Sequence, residues 1–465
     1  MSKKIGLLNH MGGGNLGDDA TQTAVIHHIK KRWPESVMFG FSMNPSDTLA
    51  RHGIPSYPIR RQIWGRSPAT ENNMASFKAK VKSAVSRYRF LFTVIKAVGD
   101  TVAVAIRISR TLFRELSFLL RSLRIIRPLD LLIISGGGQL LDSWGGPWKF
   151  PYTIFKWVLL ARISNVKCYF INVGAGPLRH PLSKFFVKYA LFLGDYASFR
   201  DEKSGALVQQ IGFTGRTHVS ADCVYGLDLP ALNTSRSGEP GGPVVGVSPM
   251  AYCDPRVYWE KDQGVYENFI RTLALFGSWL IRNHHRLRLF STDIWFDSQT
   301  IEELKMALNN DPCIAGSRPI IHEPIAATEE LLSQLSSLDY VVTCRYHGVI
   351  FAHLMNIPVL ALSHHPKVAT LMDDLGLSEY CLDIHMLDLE VLMSTFVRLA
   401  DNRDRVKACM AEKAAVYKSR LTSQFDTLFP EELSLVATSS RGDCRPARVP
   451  KLVFDQVERC RNDGQ

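Results

Sequence analysis

The sequence predicts an α/β protein built from two Rossmann-like domains that face each other across a cleft. Short apolar runs alternate with amphipathic stretches along most of the 465 residues, which is the pattern of βα units in parallel sheets. The stretch NTSRSGEPGGP at 233–243 interrupts this alternation with serine, glycine and proline, so it marks a boundary between two βα series. We expect an N-terminal domain at 1–240, a C-terminal domain at 241–430 and a polar extension at 431–465.

The N-terminal series starts with the apolar run KIGLLNH, followed by the loop MGGGNLGDD and the helical pattern ATQTAVIHHIKKRW. Two later runs, LDLLIISGGGQLLD and VKCYFINVGAGPL, again place glycine directly after a strand. The C-terminal series contains the strand VVGVSPMAY, the helix YENFIRTLALFGSWLIRNH and the strand–helix pair DYVVTCRYHGVIFAHLMN. Because ligands bind at the carboxyl ends of strands in open α/β sheets, polar residues in these loops are the candidate site residues.

The formal net charge of +11 is concentrated in one segment. Between Arg60 and Arg127 the chain has fifteen Lys and Arg against three acidic residues, which predicts a basic helical insertion at 60–127 in the N-terminal domain. Arginines recur there at helical spacing, with Leu, Ile and Phe between them. One interpretation is an interfacial helix attracted to anionic lipid. The other is an αα-hairpin that packs on the domain and leaves its arginines solvated.

The sequence shows no sign of export or of a membrane span. The N-terminal stretch MSKKIGLLNHMGGG lacks the apolar region of a signal peptide, and no run of 18 uncharged apolar residues occurs. The nine cysteines have no CxxC spacing, which is typical of small buried residues in a reducing compartment. We expect a cytoplasmic protein, attached peripherally to the inner face of the plasma membrane if 60–127 binds lipid.

Polar residues follow the first strand of the N-terminal series. Asn15, Asp18 and Asp19 come directly after the glycines of GGGNLGDD, where a helix begins. An Asp at this position is a good helix N-cap, which is the structural alternative for Asp18 or Asp19. The loop has neither a GxGxxG pattern nor a Walker lysine. The acids therefore favour hydroxyl binding or acid/base work over phosphate binding.

Three further loops carry candidate residues. Gly137 and Gly138 lie in the triple-glycine loop after a buried strand. Arg200 ends another strand, where a fixed guanidinium can hold a carboxylate or phosphate; its structural alternative is an ion pair with Asp201. Asp222 follows a further strand, and structural capping is an equally good explanation for it.

The C-terminal series places Arg345, His347 and Lys367 at two successive strand edges. Together these residues predict a cationic pocket for a small, highly charged anion. The structural alternative is a capping Arg and a buried core His. With His364 and His365 nearby, a metal site is a competing use, but the neighbouring cations would repel a metal ion. We expect no metal.

Six stretches resemble the polysaccharide pyruvyl transferase family in order and spacing. They are GGGNLGDDA, SGGGQLLD, GAGPL, FRDEKS, ADCVYGL and CRYHGVIFAHLMNIPVLALSHHPKV, and the resemblance covers about 4–28 and 130–376. It implies a fold similar to that of GT-B glycosyltransferases. It also implies transfer of the enolpyruvyl group of phosphoenolpyruvate onto two sugar hydroxyls, giving a cyclic pyruvate ketal.

The family resemblance also implies substrates and residue roles. Phosphoenolpyruvate is the donor substrate, no cofactor is implied, and the acceptor is an exopolysaccharide or cell-surface glycan precursor, such as a lipid-linked oligosaccharide. His347 acts as general acid or as a donor to the departing phosphate, while Asp18, helped by Asn15, orients or deprotonates the acceptor hydroxyl. The residues expected to bind the donor are Arg345, Arg200, Lys367, Gly137 and Gly138, and those expected to bind the acceptor are Asn15, Asp18 and Asp222.

The chain departs from the family pattern in two places. Tyr346 occupies a position where family members more often have a small apolar residue such as Leu. The basic insertion at 60–127 is not a general family feature. It would suit an enzyme held near a lipid-linked acceptor.

Two other functions compete with this interpretation. A GT-B nucleotide-sugar glycosyltransferase would share the fold, but it usually carries a ribose-binding acid where this chain has SHHPKVATLMDDLG. A nucleic-acid-binding protein would explain the basic segment, yet that segment interleaves Leu, Ile and Val rather than stacking aromatics. We expect no nucleic-acid partner, and the sequence leaves open whether the chain forms a homo-oligomer.

Overall fold

The N-terminal half of the chain forms a parallel sheet. The computed structural model describes residues 2–61, 109–229, 242–314, 316 and 320–430. Within these ranges the sheet has seven strands: β1 (Lys4–Leu8), β2 (Val37–Ser42), β3 (Ser56–Pro58), β4 (Leu131–Ser135), β5 (Lys167–Val173), β6 (Tyr196–Phe199) and β7 (His218–Val219). They lie in the order β3-β2-β1-β4-β5-β6-β7, and every neighbouring pair is parallel.

The C-terminal half forms a second parallel sheet. In the same described ranges its strands are β8 (Val244–Ser248), β9 (Arg286–Leu289), β10 (Tyr340–Thr343), β11 (Val359–Ser363) and β12 (Cys381–Asp383). Their order is β12-β11-β10-β8-β9, again with parallel pairing throughout. The predicted pair of Rossmann-like βα series is therefore confirmed.

Helices connect the strands, as parallel pairing requires. Most of them begin where a polar side chain accepts hydrogen bonds from first-turn amides; Asn15, for example, accepts from the amide of Gly17 at 2.9 Å. The helices are α1 (Leu16–Arg32), α2 (Pro45–His52), α3 (109–126), α4 (Phe150–Ile163), α5 (Pro181–Leu193), α6 (Glu202–Gln210), α7 (Gln263–Arg282), α8 (Ser298–Asn309), α9 (Thr328–Leu335), α10 (Tyr346–Leu354), α11 (Pro366–Asp374), α12 (Leu389–Asp401) and α13 (Arg403–Leu428).

In each sheet, the chain first adds strands on one side of the starting strand and then crosses over to add the rest on the other side. This topological switch lies between β1 and β4 in the first sheet, and between β8 and β10 in the second. In open α/β sheets, the crevice beyond the carboxyl ends at the switch point is where ligands bind. The loops after β1 and β4, and those after β8 and β10, therefore define where a site is expected.

Backbone hydrogen bonds join the two halves beside these loops. The amide of Leu16 donates to the carbonyl of Thr292 at 2.8 Å, and the amide of Ile294 donates to the carbonyl of Gly14 at 2.9 Å. Trp295 packs on Gly14, where a side chain would collide with the indole ring. The loop after β1 is thus held against the loop after β9, which brings the N-terminal ends of α1 and α10 together.

Helix α13 returns from the second half to the first. The carbonyl of Met410, near its start, lies 2.8 Å from Nε2 of His353 in the second half. Near its other end, Gln424 donates to Asn172 Oδ1 at 2.9 Å, and Asp426 pairs with Arg32. The predicted domain boundaries stay a prediction, because 230–241 and 431–465 lie outside the described residues and α13 contacts both halves.

Only the last part of the predicted basic insertion is described, since 62–108 lie outside the described residues. Helix α3 packs against α4: Glu115 pairs with Lys156 at 3.1 Å, and the ring of Phe118 meets Trp157 edge to face. The opposite side of α3 exposes apolar and cationic side chains together, namely Leu112, Phe113, Leu116, Leu120, Arg110, Arg114, Arg121 and Arg124. In the part of the chain that the structure describes, no helix is both long and apolar enough to cross a bilayer.

Candidate active site

A cleft with a cavity of about 480 Å³ opens between the two sheets. Both halves contribute to its wall, from the loops that follow β1, β4, β6, β10 and β11. Predicted site residues that line it are Asn15, Asp18, Gly138, Arg200, Arg345, His347 and Lys367. The structure therefore brings together most of the residues that the sequence analysis selected from separate loops.

Lys367 and Arg200 come from opposite halves and approach the same aromatic ring. The guanidinium carbon of Arg200 lies 4.1 Å from the ring centre of Tyr346, and Nζ of Lys367 lies 5.7 Å from it. Cations over an aromatic face are attracted by the ring quadrupole. Tyr346, the residue that departs from the family pattern, thus makes cation–π contacts with both Arg200 and Lys367.

Burial, reinforced by Arg200 and Arg345, lowers the pKa of Lys367 to about 8. The ammonium group is therefore protonated at neutral pH. Burying this charge beside two other cations costs free energy, and a bound anion would reduce that cost. The expected binding of a small anion by Arg200, Arg345 and Lys367 stays a prediction.

Two carboxylates of its own half hold Arg200 in place. Its Nη1 donates to Asp222 Oδ2 at 3.3 Å, and its Nε lies 3.5 Å from Asp201 Oδ2. A side chain at Gly174 would collide with the guanidinium, so the glycine makes room for it. The predicted alternative partner, Asp201, is therefore present, although Arg200 also lines the cleft.

Asp222 has both carboxylate oxygens engaged. Oδ1 accepts from the amide of Val224 at 3.2 Å, and Oδ2 accepts from Arg200. Its side chain is buried beneath Arg200. This geometry favours a positioning role through Arg200, while the expected contact with the acceptor stays a prediction.

Arg345 is held by two acids that the sequence analysis did not select. Its Nε donates to Asp297 Oδ2 at 2.8 Å, and its Nη2 donates to Asp297 Oδ1 at 2.5 Å. Asp293 Oδ2 lies 3.5 Å from Nη1. Asp297 is fully buried and also accepts from the amide of Ala251. Arg345 is thus fixed in orientation while part of it still faces the cleft.

His347 lies at the contact between the two halves. A methyl group at Gly17 would stand 2.0 Å from Cγ of His347, so only glycine allows α1 to approach the ring. Nε2 of His347 is buried and has no hydrogen-bond partner. Burial, together with Arg200 and Lys367, holds the pKa of His347 well below its usual range, so the free enzyme carries a neutral imidazole.

Asp18 carries a carboxyl group that titrates near neutral pH. Burial, together with the neighbouring charge of Asp19, raises the pKa of Asp18 to about 7. A methyl group at Gly137 would lie 3.2 Å from Oδ1 of Asp18, which places the carboxyl group against the triple-glycine loop. A group with this pKa can both give and accept a proton at neutral pH.

The cap of α1 differs from one of the expected alternatives. Asn15 is the N-cap, with Oδ1 accepting from the amides of Gly17 and Asp18 at 2.9 and 3.4 Å. The structural role considered for Asp18 or Asp19 was therefore wrong. Because Asn15 already performs the capping, Asp18 is free of that role, and the proposed help of Asn15 to the acceptor stays a prediction.

The triple-glycine loop passes between Asp18 and Arg200. Gly136 and Gly137 have φ values of +49° and +62°, which a residue with a side chain rarely adopts. A methyl group at Gly138 would lie 3.9 Å from Nη2 of Arg200. Gly138 thus lines the cleft beside Arg200, whereas Gly137 lies against Asp18 and is not among the cleft-lining residues; the expected contact of both with the donor stays a prediction.

His10 and Trp144 are among the cleft residues that the sequence analysis missed. His10 is the second residue after β1, and this position just beyond a strand end was a signal that could have identified it. The ring of His10 lies 4.0 Å from the ring of Phe150 and 5.8 Å from that of Trp144. Burial, together with Arg60 and Lys367, lowers the pKa of His10 to about 3.

His364 and His365 are occupied by local contacts. Nδ1 of His364 lies 3.0 Å from the carbonyl of Cys344, and Nδ1 of His365 accepts from the amide of Lys367 at 3.3 Å. Among the described residues, no three His, Cys, Asp or Glu side chains are grouped so that they could hold a metal ion.

Two parallel sheets facing a cleft define a GT-B-like fold, and similar solved structures share it. A UDP-N-acetylglucosamine 2-epimerase has a TM-score of 0.52 and 12% identity, covering 92% of this chain and 96% of its own. The enzyme from Neisseria meningitidis bound to UDP-GlcNAc has a TM-score of 0.50 and 10% identity, covering 92% and 99%. The enzyme from Methanocaldococcus jannaschii has a TM-score of 0.50 and 10% identity, covering 85% and 92%. At these identities the similarity establishes the fold alone.

The family is established by sequence. The model of the polysaccharide pyruvyl transferase family matches residues 15–366, which is most of the chain. This chain belongs to that family and is a transferase, as the resemblance predicted. No curated protein matched the chain.

Proposed function

We propose that the protein transfers the enolpyruvyl group of phosphoenolpyruvate onto two hydroxyls of a sugar in a glycan precursor, forming a pyruvate ketal. One observation carries the proposal: Arg200, Arg345 and Lys367 converge in a buried cleft beside Asp18, whose pKa lies near neutrality. Three fixed cations suit a donor that has a carboxylate and a phosphate on three carbons. Family membership supports the same chemistry.

Neutral His347 is better suited to donate a hydrogen bond to phosphate than to protonate carbon. Burial and the neighbouring cations hold the pKa of this imidazole low, so at neutral pH it lacks the second ring proton that a general acid would give up. It can still stabilise charge on the leaving phosphate as a neutral donor, and a bound anion would raise its pKa. We therefore assign the proton on carbon to Asp18 and the phosphate contact to His347.

With this assignment, Asp18 is the one protein group that has to give and take a proton during the reaction. Protonated Asp18 gives its proton to the methylene carbon of phosphoenolpyruvate, leaving positive charge at the carbon that bears phosphate. A sugar hydroxyl attacks this carbon and returns its proton to Asp18. The carbon–oxygen bond to phosphate breaks, a second hydroxyl closes the ring, and its proton leaves with inorganic phosphate. The products are the pyruvate ketal and phosphate.

Calorimetric titration of phosphoenolpyruvate tests the donor assignment, comparing wild type with Lys367→Met and Lys203→Met. Lys203 is exposed at the cleft mouth and donates to Thr370. A charged hydrogen bond is worth about 1.5–3 kcal/mol. We therefore expect Lys367→Met to weaken binding about 10- to 100-fold and Lys203→Met to change it less than threefold. If the wild type binds UDP-GlcNAc and not phosphoenolpyruvate, the enzyme is a nucleotide-sugar transferase and the proposal fails.

We also propose that the enzyme works at the cytoplasmic face of an anionic membrane, where lipid-linked acceptors are presented. The side of α3 that faces away from α4 exposes Leu112, Phe113, Leu116 and Leu120 among arginines. Apolar side chains flanked by cations are the composition of an interfacial helix. Each cation near an anionic surface adds about 1 kcal/mol of attraction.

Vesicle co-sedimentation tests this membrane contact. Wild type should sediment with vesicles containing phosphatidylglycerol and not with pure phosphatidylcholine, and the bound fraction should fall at high salt. Leu116→Gln with Leu120→Gln should reduce binding at least fivefold. Leu275→Gln, an exposed leucine on α7, is the control and should bind as wild type. Equal sedimentation of all variants would exclude α3 as the docking surface.

A further inference from the structure

The cleft has an aromatic part that the donor assignment does not use. Trp144 and His10 line the N-terminal wall, and both come from loops at the switch point of the first sheet, after β4 and β1. Arg200 and Lys367 are close enough to His10 to lower its pKa by their charge. This aromatic part therefore borders the cationic site without being part of it.

Trp144 is held in place although much of its indole is exposed. Asp142 fixes the loop that carries Trp144. Its Oδ2 accepts from the amides of Arg179 and His180, both at 2.8 Å. Gly145 and Gly146 follow with φ values of +90° and +74°, which turn the chain sharply. One side of the indole meets His10 and Phe150, while 42% of the residue is exposed. A prepositioned, exposed aromatic face at a cleft wall is a platform for a ligand with an apolar face.

His10 lacks the partner that a buried polar group requires. The residue is 95% buried, its ring packs on Phe150, and its Nε2 has no hydrogen-bond partner. Buried polar atoms are nearly always paired, so an unpaired one calls for an explanation such as an absent ligand. A neutral imidazole can donate to or accept from a hydroxyl group.

We propose that Trp144 and His10 form the acceptor subsite, in which a pyranose ring stacks on the exposed indole face and one of its hydroxyls meets the imidazole. A pyranose presents carbon-bound hydrogens on one face, which are attracted to the negative face of an indole, and hydroxyls at its edge. Asp18, the carboxyl group proposed to take the proton of the acceptor hydroxyl, lines the same cleft. The inference rests on the proposed function and adds the residues that recognise its acceptor.

Trp148 provides a matched control. It lies four residues after Trp144 and is 64% exposed, but it packs on Tyr152 and Phe186 and does not line the cleft. The test is saturation-transfer NMR with methyl β-D-galactopyranoside, methyl β-D-glucopyranoside and methyl α-D-mannopyranoside. At least one of these should receive saturation from wild type and from Trp148→Ala. The signal should fall at least fivefold in Trp144→Ala.

A second variant separates recognition from folding. His10→Phe keeps a ring against Phe150 and removes the nitrogen atoms, so the thermal midpoint should stay within a few degrees of wild type. The sugar signal should fall at least threefold, while the affinity for phosphoenolpyruvate measured by calorimetry should be unchanged.

Three results would separate the two proposals. A sugar signal that survives in Trp144→Ala overturns the subsite, and so does the absence of any signal from wild type. If phosphoenolpyruvate gives no heat with wild type while the sugar signal depends on Trp144, the donor assignment fails and the acceptor subsite stands.

Discussion

Helices α1 and α10 both begin at the cleft, but acids follow the N-cap of α1 whereas a cation occupies the N-cap of α10. Asn15 caps α1, and Asp18 and Asp19 follow in its first turn. Arg345 stands at the N-cap of α10 without capping it, and Lys367 lies in the first turn of α11. Since a helix N-terminus is electropositive, acids there are stabilising and cations are not. The first half therefore follows the rule for stable helices, and the second half departs from it where an anion would restore the balance.

This difference indicates that the two halves of the chain have different roles at the cleft. Of these two cations, Arg345 is already paired with Asp297 and Asp293, whereas Lys367 forms no ion pair within the described residues and is the cation that a bound anion would neutralise. Carboxyl groups suit the electropositive start of α1, but burial and the charge of Asp19 outweigh this effect at Asp18 and raise its pKa. Variants that remove one charge at a time can test whether the two walls differ in this way.

The largest effect is expected from Arg345→Met. It leaves the fully buried Asp297 without its cation, and breaking a buried ion pair costs about 3–5 kcal/mol. The thermal midpoint should drop by several degrees, and binding of phosphoenolpyruvate should be lost. Adding Asp297→Asn should restore most of the midpoint but not binding. Recovery of binding in the double variant would show that Arg345 only supports the fold.

The pH dependence of donor affinity is the next test. The pKa of Lys367 is about 8 in the free enzyme, so the ammonium is present below pH 8 and lost above it. Affinity for phosphoenolpyruvate should therefore fall up to tenfold per pH unit above pH 8. Calorimetry between pH 7 and 10 measures this decline, and in Lys367→Met it should disappear. An identical decline in that variant would assign the titration to another group.

The sequence contained most of the information for the fold and for the cationic wall. The alternation of apolar and amphipathic runs predicted both parallel sheets, because the pattern of each strand or helix lies within its own short stretch of sequence. Arg345, His347 and Lys367 could be selected because each lies within four residues of the end of a strand, where the next helix begins. The partners of Arg345 could not, since Asp293 and Asp297 meet it only through the pairing of β8 with β9 and β10. Nor does anything local tell Asn15 from Asp18 as the cap of α1.

A smaller effect is expected for Asp18, on the thermal stability of the protein. Because the pKa of Asp18 is raised from about 4 to about 7, the folded state is favoured while the group is protonated and loses that advantage as pH rises to 7. Asp18→Asn should therefore raise the thermal midpoint by a few degrees at pH 8 and leave it nearly unchanged at pH 4. Differential scanning calorimetry at the two pH values measures this. Equal shifts at both would mean that the effect is not titration of Asp18.

The smallest effect is expected at Tyr346. Tyr346→Leu restores the residue type more common in the family and removes the ring under Arg200 and Lys367. A cation–π contact is worth about 0.5–2 kcal/mol, so phosphoenolpyruvate affinity should fall about 2- to 30-fold. Tyr346→Phe keeps the ring and should bind as wild type. If Phe and Leu weaken binding equally, the phenolic hydroxyl is responsible instead of the ring.

Helix α13 limits how the cleft can open. The chain passes from the first half to the second between Leu229 and Gly242, and it passes back along α13, which is fastened to the second half at Met410 and to the first at Gln424. Besides the covalent connection along the chain, α13 therefore joins the halves through non-covalent contacts at His353 and at Asn172. Any opening of the cleft that separates the halves would have to break the contacts of α13 at one of these two places.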